Sequence, residues 1–362
     1  MERLAKMSQT AKAGDHLKKA TIYDVARQAG VGIGTVSRVL NQSQQVSEAT
    51  RQKVQAAIHA LEYAPDPIAR SLNSGRTHTL GVIVPFFTRP FFTAVLEGLQ
   101  AEIATHGYDL VLYNVIKREQ RDSYFSHVPM QRRVDGLIIL SLPPDDQEAA
   151  IFERMQMPVV LVDCYNPHLT SVVVDNVGGA YAAVSHLLDI GRKRIGFING
   201  ITEGNFRFNQ ATDRRTGYEA ALHDQQISFD ATMITASAWN RQAGYQAALK
   251  LLDQPMAQRP DAIFAACDVQ ALGVLEAVKK IGLQVPQDVA VMGYDGIELA
   301  ELLDLSTVQQ PLLEMGALGV RLLLQQIESK TPASIQTIQL KTKLISRATT
   351  KPNNFNLLNT SH

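Results

Sequence analysis

The sequence predicts two parts of different fold class: a small all-α head near the N-terminus and a larger α/β body of two doubly wound parallel sheets. The head is indicated by apolar residues that recur at helical spacing between residues 20 and 64. The body is indicated by β-branched apolar runs that alternate with helical segments after residue 78. A chain of 362 residues is long enough for two or three domains, each with its own core.

The two parts also differ in charge. Residues 1–78 hold eleven Lys and Arg against six Asp and Glu, which gives a formal charge of +5. Because the whole chain has a net charge of zero, the remainder carries −5. A basic head on an acidic body indicates a module that binds a polyanion.

The head is predicted to contain three helices. Thr21 and Asp24 have the spacing of a capping box for the first helix, and Gly30 ends it. Gly32 precedes the second helix as an acceptable N-cap, and Ser47 caps the third. The apolar faces are Ile22, Val25, Ala26 and Ala29 in the first helix, and Val54, Ala57, Ile58 and Leu61 in the third.

A helix, a glycine-containing turn, a short helix and a longer supporting helix form the helix-turn-helix arrangement that places its second helix in the DNA major groove. The alternative is a three-helix bundle without a ligand. The excess of positive charge and the following segment, Pro65–Arg76, favour DNA. In that segment Ile68–Leu72 is predicted to form about one and a half helical turns, too few to be stable alone.

The body is predicted to contain parallel strands that are covered by helices on both faces. There are too many such units for one ordinary sheet, so two lobes are expected, with a ligand cleft at the carboxyl ends of their strands. The predicted strands are Leu80–Pro85, Leu110–Val115, Gly136–Leu140, Val159–Asp163, Arg194–Asn199, Ala262–Ala266 and Val289–Gly293.

The candidate ligand site is formed by polar residues at the ends of these strands. Asp163, Asp268 and Asp295 each follow an apolar run, Arg214 lies in the segment DRRTGY, and Trp239 is the only tryptophan. Any one of the acids alone is more often a solvated loop residue, but together they indicate a cleft. Carboxylates and a guanidinium pair with hydroxyl groups, and an indole stacks on the apolar face of a sugar. The pattern therefore indicates saccharide recognition.

Longer segments resemble the lactose-repressor/galactose-repressor family of bacterial transcription regulators. The head and hinge carry the resemblance in TIYDVARQAGVGIGTVSRVLN and VSEATRQKVQAAIHALEYAPDPIARSL. The body carries it in LGVIVP, RVDGLIIL, DRRTGY, VPQDVAVMGYDG and TKLISR, so it covers about residues 20–347. It implies a helix-turn-helix DNA-binding head and a two-lobed, periplasmic-binding-protein-like body.

The resemblance also implies domain boundaries. We expect a DNA-binding domain at 20–64, a hinge helix and linker at 65–77, and a two-lobed effector-binding and dimerisation domain at 78–347. The polar residues 1–19 are expected to be a disordered tail, and 348–362 a C-terminal tail. That tail lacks the leucine heptads through which some family members form tetramers, so a homodimer through the bodies is expected.

For DNA, the resemblance places Ile33 and Gly34 at the two main base-reading positions and Arg38 beside them. Arg38 can make a bidentate contact to guanine, whereas Ile33 offers an apolar surface to a thymine methyl group. In the hinge, Ala69 and Leu72 are expected in the minor groove, with Leu72 as a wedge that bends the duplex. Contacts to backbone phosphates are expected from Thr35, Ser37, Asn41, Ser47 and Thr50.

For the effector, the resemblance selects Asp163, Arg214, Trp239 and Asp295, with Phe91 or Phe92 as an aromatic wall from the first lobe; the strand-end pattern adds Asp268. A nucleobase or nucleoside remains the alternative effector. Purine-responsive relatives carry a second arginine six residues before the one matched by Arg214, where this chain has Phe208. The neighbouring Arg207 could supply that guanidinium.

We therefore predict a transcription regulator, specifically a repressor, that binds a near-palindromic operator as a homodimer and responds to a small molecule. An enzyme is not expected, because the chain has no G-x-G-x-x-G after its first body strand, no G-x-S-x-G and no H-E-x-x-H. Neither a cofactor nor a metal site is predicted. A sugar-binding protein without DNA function would not need the basic head.

The chain is expected to act in the cytoplasm without a membrane partner. Its first residues lack the apolar core of a signal peptide, and no apolar run has the length of a membrane span. Cys164 and Cys267 each follow an apolar run and are too few for a disulfide framework, so buried free thiols are expected.

Overall fold

The computed structural model describes residues 20–40, 43, 45–63, 75–201, 206, 208–329 and 334–351. Contacts within the chain divide it into two compact units, with the division between Thr77 and His78. The first unit contains the head and the second contains the body. In the described residues, no helix is both long and apolar enough to cross a bilayer.

The head contains the three predicted helices, α1 (Ile22–Ala29), α2 (Ile33–Leu40) and α3 (Glu48–Ala60). Its core is formed by Val25, Ala26, Val36, Val39, Val54 and Ala57. The backbone N–H of Thr21 donates to the Asp24 carboxylate over 3.0 Å, and Gly30 ends α1 in the left-handed conformation at φ 66°. The backbone N–H groups of Thr35 and Val36 donate to the Gly32 carbonyl, so α2 starts where the sequence predicts.

The first lobe of the body is a parallel sheet in the strand order β11-β5-β4-β3-β1-β2. Apolar clusters cover both of its faces. Its strands are β1 (Thr79–Pro85), β2 (Asp109–Val115), β3 (Gly136–Leu140), β4 (Val159–Val162), β5 (Thr170–Val174) and β11 (Thr337–Leu340), and its helices are α4 (Pro90–Ala104), α5 (Arg118–Gln131), α6 (Asp146–Arg154) and α12 (Leu312–Glu328).

The second lobe has the same layered architecture in the order β12-β10-β9-β8-β6-β7, with one antiparallel pair, β10 and β12. Two apolar clusters cover this sheet as well. Its strands are β6 (Ile195–Gly200), β7 (Ile234–Ser237), β8 (Ala262–Ala265), β9 (Ala290–Asp295), β10 (Ser306–Gln309) and β12 (Lys343–Ile345), and its helices are α7 (Asn176–Asp189), α8 (Asn209–Asp224), the 3₁₀ turn Ala231–Met233, α9 (Arg241–Leu252), α10 (Asp268–Lys280) and α11 (Glu298–Leu302).

The chain passes between the lobes three times: from β5 to α7, from β10 to α12, and from β11 to β12. Each lobe is therefore assembled from separate parts of the sequence. On the outside of the first lobe, α4 and α12 pack closely, because a Cβ atom on Gly98 would lie 1.9 Å from the carbonyl oxygen of Leu313. A side chain at Gly98 would push these helices apart.

The predicted fold class is confirmed, and each predicted strand is present with bounds within two residues of the prediction. Both cysteines are free and buried, as expected. The strands that the sequence analysis missed are β5, β7, β10, β11 and β12. Most of them lie at sheet edges or after a lobe crossing, and β7, β11 and β12 lack the continuous apolar run by which the others were found.

The first residues after the predicted end of the body are bound to it. Thr349 and Thr350 are buried, although they belong to the segment expected to be a tail. The Thr349 hydroxyl accepts a hydrogen bond from the backbone N–H of Ser306 at 2.8 Å, and the Thr350 hydroxyl lies 2.9 Å from Nε2 of His186. These contacts hold residues 349 and 350 against the second lobe.

Candidate functional site

The second helix of the head buries one face and exposes the other. Val36 and Val39 are buried in the head core, whereas Ile33, Gly34 and Arg38 are exposed. Ile33 is a large apolar residue that stays 40% exposed on this face. The exposed face therefore carries the three side-chain positions predicted to read bases.

The structure describes four of the five residues predicted to contact phosphates. Thr35 and Ser37 lie half-buried on α2. Ser47 caps α3: its hydroxyl accepts from the backbone N–H of Thr50 at 3.4 Å and lies 2.9 Å from the Thr50 hydroxyl. Asn41 and the hinge residues Ala69 and Leu72 lie outside the described residues. An exposed tyrosine in the first turn of α1, Tyr23, was not singled out from the sequence.

The body holds a cavity of about 540 Å³, measured with its open mouth, between the carboxyl ends of the strands in the two lobes. Its position agrees with the rule for open α/β sheets, whose ligands bind beyond the carboxyl ends of the strands. Residues of both lobes line it: Arg89, Pro90, Phe91, Phe92, Ser141, Asp163, Phe208, Gln210, Arg214, Trp239, Cys267, Val269 and Asp295.

Asp163 follows β4 in a left-handed conformation, at φ 61°, and its buried carboxylate reaches the cavity. Its Oδ2 atom accepts hydrogen bonds from the Ser141 hydroxyl at 2.5 Å and from Nε2 of Gln210 at 2.6 Å. Its Oδ1 atom has no partner among the described residues. Burial raises the pKa of Asp163 to about 6, although Ser141, Arg214 and Gln210 act in the opposite direction.

Arg214 lies at the floor of the cavity and is only 2% exposed. Its Nε donates to the Asn176 side chain at 2.9 Å, and one terminal nitrogen donates to the carbonyl of Ala266. The guanidinium lies 3.7 Å from Oδ1 of Asp295 and the same distance above the centre of the Tyr294 ring. The orientation of this buried cation is therefore set by the protein on several sides.

Asp295 ends β9 at φ 120°, a conformation that residues with a side chain rarely adopt. Its Oδ1 atom accepts from Nε2 of Gln310 at 2.8 Å. Burial raises the pKa of Asp295 well above its ordinary value, while the nearby Arg214 charge lowers it. Strained backbone and shifted acids gather at functional sites, which supports a ligand site here.

Aromatic rings form the walls of the cavity. Phe91 and Phe92 come from the start of α4 in the first lobe, whereas Phe208 and Trp239 belong to the second lobe. Gly200 at the end of β6 lets the indole lie against the backbone, because a Cβ atom there would lie 1.8 Å from a ring carbon of Trp239. This combination of rings and buried polar groups suits a ligand with apolar faces and polar edges.

Several buried polar atoms at the cavity make no hydrogen bond within the described part of the chain. They are two acceptors, Oδ1 of Asp163 and Oε1 of Gln210, and one donor, Nε1 of Trp239. Buried polar atoms are nearly always paired, because an unpaired one costs about 1–3 kcal/mol. A hydroxyl group can satisfy both kinds of atom, since it donates and accepts.

Asp268 does not line the cavity. Its buried carboxylate accepts from the Thr307 hydroxyl at 2.6 Å and from the backbone N–H groups of Gly296 and Ile297 at 2.7 and 2.9 Å. The sequence predicted that this strand ends at Ala266, but β8 ends one residue earlier, at Ala265. Cys267 therefore lines the cavity in place of Asp268. Asp268 turns into the protein and holds the loop after β9.

Two further polar residues of the cavity were not predicted from the sequence. They are Ser141 and Gln210, both of which bind Asp163. Ser141 directly follows β3, so the strand-end rule could have found it, whereas Gln210 lies in the first turn of α8. Arg207, the possible second guanidinium for a purine, lies outside the described residues.

Comparison with known proteins gives matches for both units. The model of bacterial regulatory proteins of the lacI family matches residues 21–66, and a periplasmic binding protein-like domain matches residues 184–350. The ribose operon repressor of Escherichia coli strain K12 is 36% identical over 91% of this chain and 99% of its own length. The HTH-type transcriptional repressor CytR of the same strain is 34% identical over 94% and 99%.

Solved structures also match nearly the whole length of this chain. A lac repressor dimer bound to operator and the anti-inducer ONPF has a TM-score of 0.81 at 29% identity, with coverage of 92% of this chain and 99% of the other. A complex of the transcriptional regulator CelR with cellobiose has a TM-score of 0.68 at 31% identity, with coverage of 91% and 100%. Similarity at this identity and length includes the head and both lobes, so the chain belongs to the lacI family of bacterial regulatory proteins.

Proposed function

We propose that this protein is a transcriptional repressor whose affinity for operator DNA is controlled by a saccharide in the cleft. The observation that carries the proposal is the cleft itself: aromatic walls surround buried acceptors and a donor that have no partner within the described residues. The family membership supplies the DNA function, because members of this family are regulators rather than enzymes.

The polar groups of the cleft favour a polyhydroxylated ligand. Asp163 and Asp295 offer carboxylate oxygens, Arg214 offers a fixed cation, and Trp239 offers both a donor and an apolar face. One relative is named a ribose operon repressor, and a lacI-family regulator from Enterococcus faecium was solved with bound ribose. A nucleobase or nucleoside is the second candidate, and the relatives also include the HTH-type transcriptional repressor PurR of Vibrio atlanticus, which is 33% identical over 92% of this chain.

For DNA, we propose that Ile33, Gly34 and Arg38 read bases in the major groove. Their exposure on α2 supports this role. Phosphate contacts are assigned to Thr35, Ser37, Asn41, Ser47 and Thr50. The exposed Tyr23 is a further candidate for a phosphate contact, since its hydroxyl can donate.

The remaining parts of the proposal concern assembly. The protein acts as a homodimer on a near-palindromic operator, as the lac repressor dimer does on its operator. The head comprises residues 20–64, the hinge 65–77 and the body 78–347. Paired hinge helices, with Ala69 and Leu72 in the minor groove, order on the operator, and closure of the cleft changes their spacing.

The proposal is tested by calorimetry of the full chain against pentoses, hexoses, disaccharides, nucleosides and nucleobases. The true effector should also change the fluorescence of Trp239, the only indole in the chain. Operator fragments are then selected from random DNA, and their affinity is measured with and without the bound compound. A saccharide that binds and changes operator affinity is the expected result, whereas binding of nucleosides alone would replace it with the second candidate.

A further inference from the structure

Asp268 is fully buried at the start of α10, next to Cys267, which lines the cleft. Its Oδ2 atom accepts from the backbone N–H groups of Gly296 and Ile297 at 2.7 and 2.9 Å, and its Oδ1 atom accepts from the Thr307 hydroxyl at 2.6 Å. Hydrogen bonds to an ionised carboxylate are shorter and stronger than those between neutral groups. Asp268 therefore binds the loop after β9 and the neighbouring strand β10 firmly.

The contact with Gly296 fixes the peptide group that follows Asp295. The N–H of this peptide group belongs to Gly296 and donates to Asp268, and its C=O belongs to Asp295 and accepts from the backbone N–H of Gln310 at 3.0 Å. A peptide group is planar, so hydrogen bonds at both of its ends fix its orientation. The backbone after Asp295 is therefore held by two residues that are distant from it in sequence.

Strand β9 fixes the peptide group that precedes Asp295. This strand pairs with β10 in a register that runs from Met292 beside Ser306 to Asp295 beside Gln309. Asp295 thus lies between two fixed peptide groups, and it takes φ 120°, in a region that residues with a side chain rarely adopt. A strained conformation persists only where the surrounding structure imposes it. Here the pairing with β10 acts on one side of Asp295, and the contacts of Asp268 act on the other.

The same backbone is also confined by close packing. A Cβ atom on Gly293 would lie 2.2 Å from Oδ1 of Asp268, and a Cβ atom on Gly296 would lie 2.7 Å from Cγ of Gln309. The residues on both sides of Asp295 therefore pack directly against Asp268 and β10, and the interior leaves them no room to shift.

We infer that Asp268 is a positioning residue for the effector: it holds Asp295 in the strained conformation that brings its carboxylate to the cleft. Asp268 itself does not line the cavity, whereas the carboxylate of Asp295 does, 3.7 Å from Arg214. The assignment rests on the proposed function, because it places effector binding in the cleft. It requires the hydrogen bonds of the Asp268 side chain and does not require its negative charge.

Asparagine at this position can form equivalent hydrogen bonds, and alanine cannot. In Asp268→Asn the side-chain oxygen accepts from Gly296 and Ile297, while the amide donates to the Thr307 hydroxyl, which both accepts and donates. In Asp268→Ala the two backbone N–H groups lose their acceptor. Asp268→Ala should therefore bind the effector about tenfold more weakly than the unmodified protein, whereas Asp268→Asn should stay within about threefold of it.

The experiment combines calorimetry with crystallography. The full chain is titrated with ribose, glucose, galactose, cellobiose and cytidine, and the probe that the unmodified protein binds most tightly is then used for the variants. Crystal structures of both variants without a ligand show the backbone of Asp295 directly. The φ angle of Asp295 should stay near 120° in Asp268→Asn and should change to a negative value in Asp268→Ala.

Asp261→Ala is the matched control for a loss of stability alone. The Asp261 carboxylate also accepts from two backbone N–H groups of the second lobe, those of Lys193 and Arg194, at 3.1 and 3.0 Å. Asp261 precedes β8, at the opposite end of the sheet from the cavity. Asp261→Ala should lower the melting temperature, as Asp268→Ala does, but should leave the affinity for the probe unchanged.

Three results would overturn the role of Asp268. The first is an Asp268→Ala variant that keeps both the affinity and the φ angle of Asp295. The second is an Asp268→Asn variant that binds as weakly as Asp268→Ala, because the charge would then be required. The third is an equal loss of affinity in Asp261→Ala, because affinity would then follow stability.

A milder variant covers the case in which Asp268→Ala does not fold. Thr307→Val removes only the hydroxyl that donates to Asp268 and should weaken binding by about threefold, whereas Thr307→Ser keeps that hydroxyl and should bind normally. Equal affinities in the two Thr307 variants would contradict the positioning role. If the unmodified protein bound none of the probes, the proposed function would fail, and the crystal structures would still decide whether Asp268 holds Asp295.

Discussion

The second helix of the head and the cleft of the body present the residues proposed to bind ligands in opposite ways. On α2, Ile33, Gly34 and Arg38 are exposed, and the buried residues beside them form the head core. In the cleft, Asp163 and Arg214 are themselves buried and are bonded to other parts of the protein.

The difference reflects what each ligand requires. DNA supplies a large charged surface that covers exposed side chains, so the helix that reads it needs no preformed polar network. A small molecule can use only a few contacts, which must be oriented and largely pre-formed before it arrives. Substitutions on the exposed face of α2 should therefore change DNA binding alone, whereas substitutions in the cleft should change both ligand binding and stability.

The largest effect is expected from Arg214→Ala. Removal of this buried cation leaves Asp295 without its ion-pair partner, which should lower the free energy of unfolding by about 3–5 kcal/mol. Calorimetry should detect no effector binding, and urea denaturation should show the loss of stability. The head has its own core, so operator binding should persist at temperatures where the body remains folded.

The next residue in the chain provides the control. The Arg215 side chain is 52% exposed and pairs with Glu219 one turn along α8. Exposed pairs of this kind contribute little, so Arg215→Ala should change stability by less than about 0.5 kcal/mol and leave effector binding intact. Equal losses in the two variants would contradict the assignment of the floor of the cleft to Arg214.

A smaller effect, confined to DNA, is expected from Arg38→Ala. Arg38 is the only long donor on α2, so its loss should cost about 1–3 kcal/mol on the operator and relax the preference at one base pair in each half-site. Competition binding with a library of operator variants measures both quantities.

Arg27→Ala is the matched variant on α1. The Arg27 side chain is 81% exposed and lies 3.7 Å from Asp24. Its removal should leave the base preference unchanged. Equal weakening of Arg38→Ala on operator and random DNA would show that Arg38 contacts only phosphate, and a loss of stability in Arg38→Ala would remove the contrast between helix and cleft.

The pH dependence of effector binding should follow Asp163. Its pKa lies near 6 rather than at its ordinary 3.8, and a ligand hydroxyl that donates to the carboxylate binds the ionised form. Affinity should therefore be full above pH 6 and fall as the pH decreases through 6, by at most about tenfold per pH unit for one proton. Calorimetry between pH 5 and 8 measures this, and Asp163→Asn should have a shallower profile.

The stability of the folded protein should change with pH in the opposite direction to effector affinity. Between pH 3.8 and 6 the folded state retains a proton on Asp163 that the unfolded chain releases, so the free energy of unfolding decreases as the pH rises through this interval. Asp268 has a pKa near 6 for the same reason, burial, and adds to the stability profile without touching the cavity. A rise in affinity on acidification would contradict an ionised Asp163 as the acceptor.

Most of the head could be predicted from sequence, because its helices are local structures with their own caps and apolar stripes. Thr21, Gly30 and Ser47 act within a few residues of their own positions. The central strands of the body could be predicted for a similar reason, since a strand covered on both faces is a continuous apolar run. The crossings between lobes could not, because no local pattern indicates which lobe receives β11 or β12.

Only part of the cleft could be predicted from the sequence, and Asp268 and Gln210 illustrate the physical reason. The end of a predicted strand shows that an acid lies near the cleft. Adjacent side chains point in different directions, however, so an error of one residue in the strand end changes which of them faces the ligand. Asp268 turned inward to bind Thr307 and the backbone after β9, and only the tertiary fold provides those partners. Gln210 gains its role through Asp163, which is distant in sequence, so no spacing could reveal it.

The smallest effect, and the one that sharpens the comparison most, is expected from Gly34→Ala. A Cβ atom on Gly34 would meet no atom within 4 Å, and alanine is favoured over glycine in a helix by up to about 1 kcal/mol. Thermal unfolding should therefore show unchanged or slightly higher stability, while operator selection should show an altered base preference, because a methyl group now faces the groove. The matched change in the cleft, Gly200→Ala, should destabilise the body and shift Trp239 fluorescence, since its Cβ atom would lie 1.8 Å from the indole. Destabilisation by Gly34→Ala would mean that the reading face of α2 is part of the head's packing, and the contrast between the two sites would not hold.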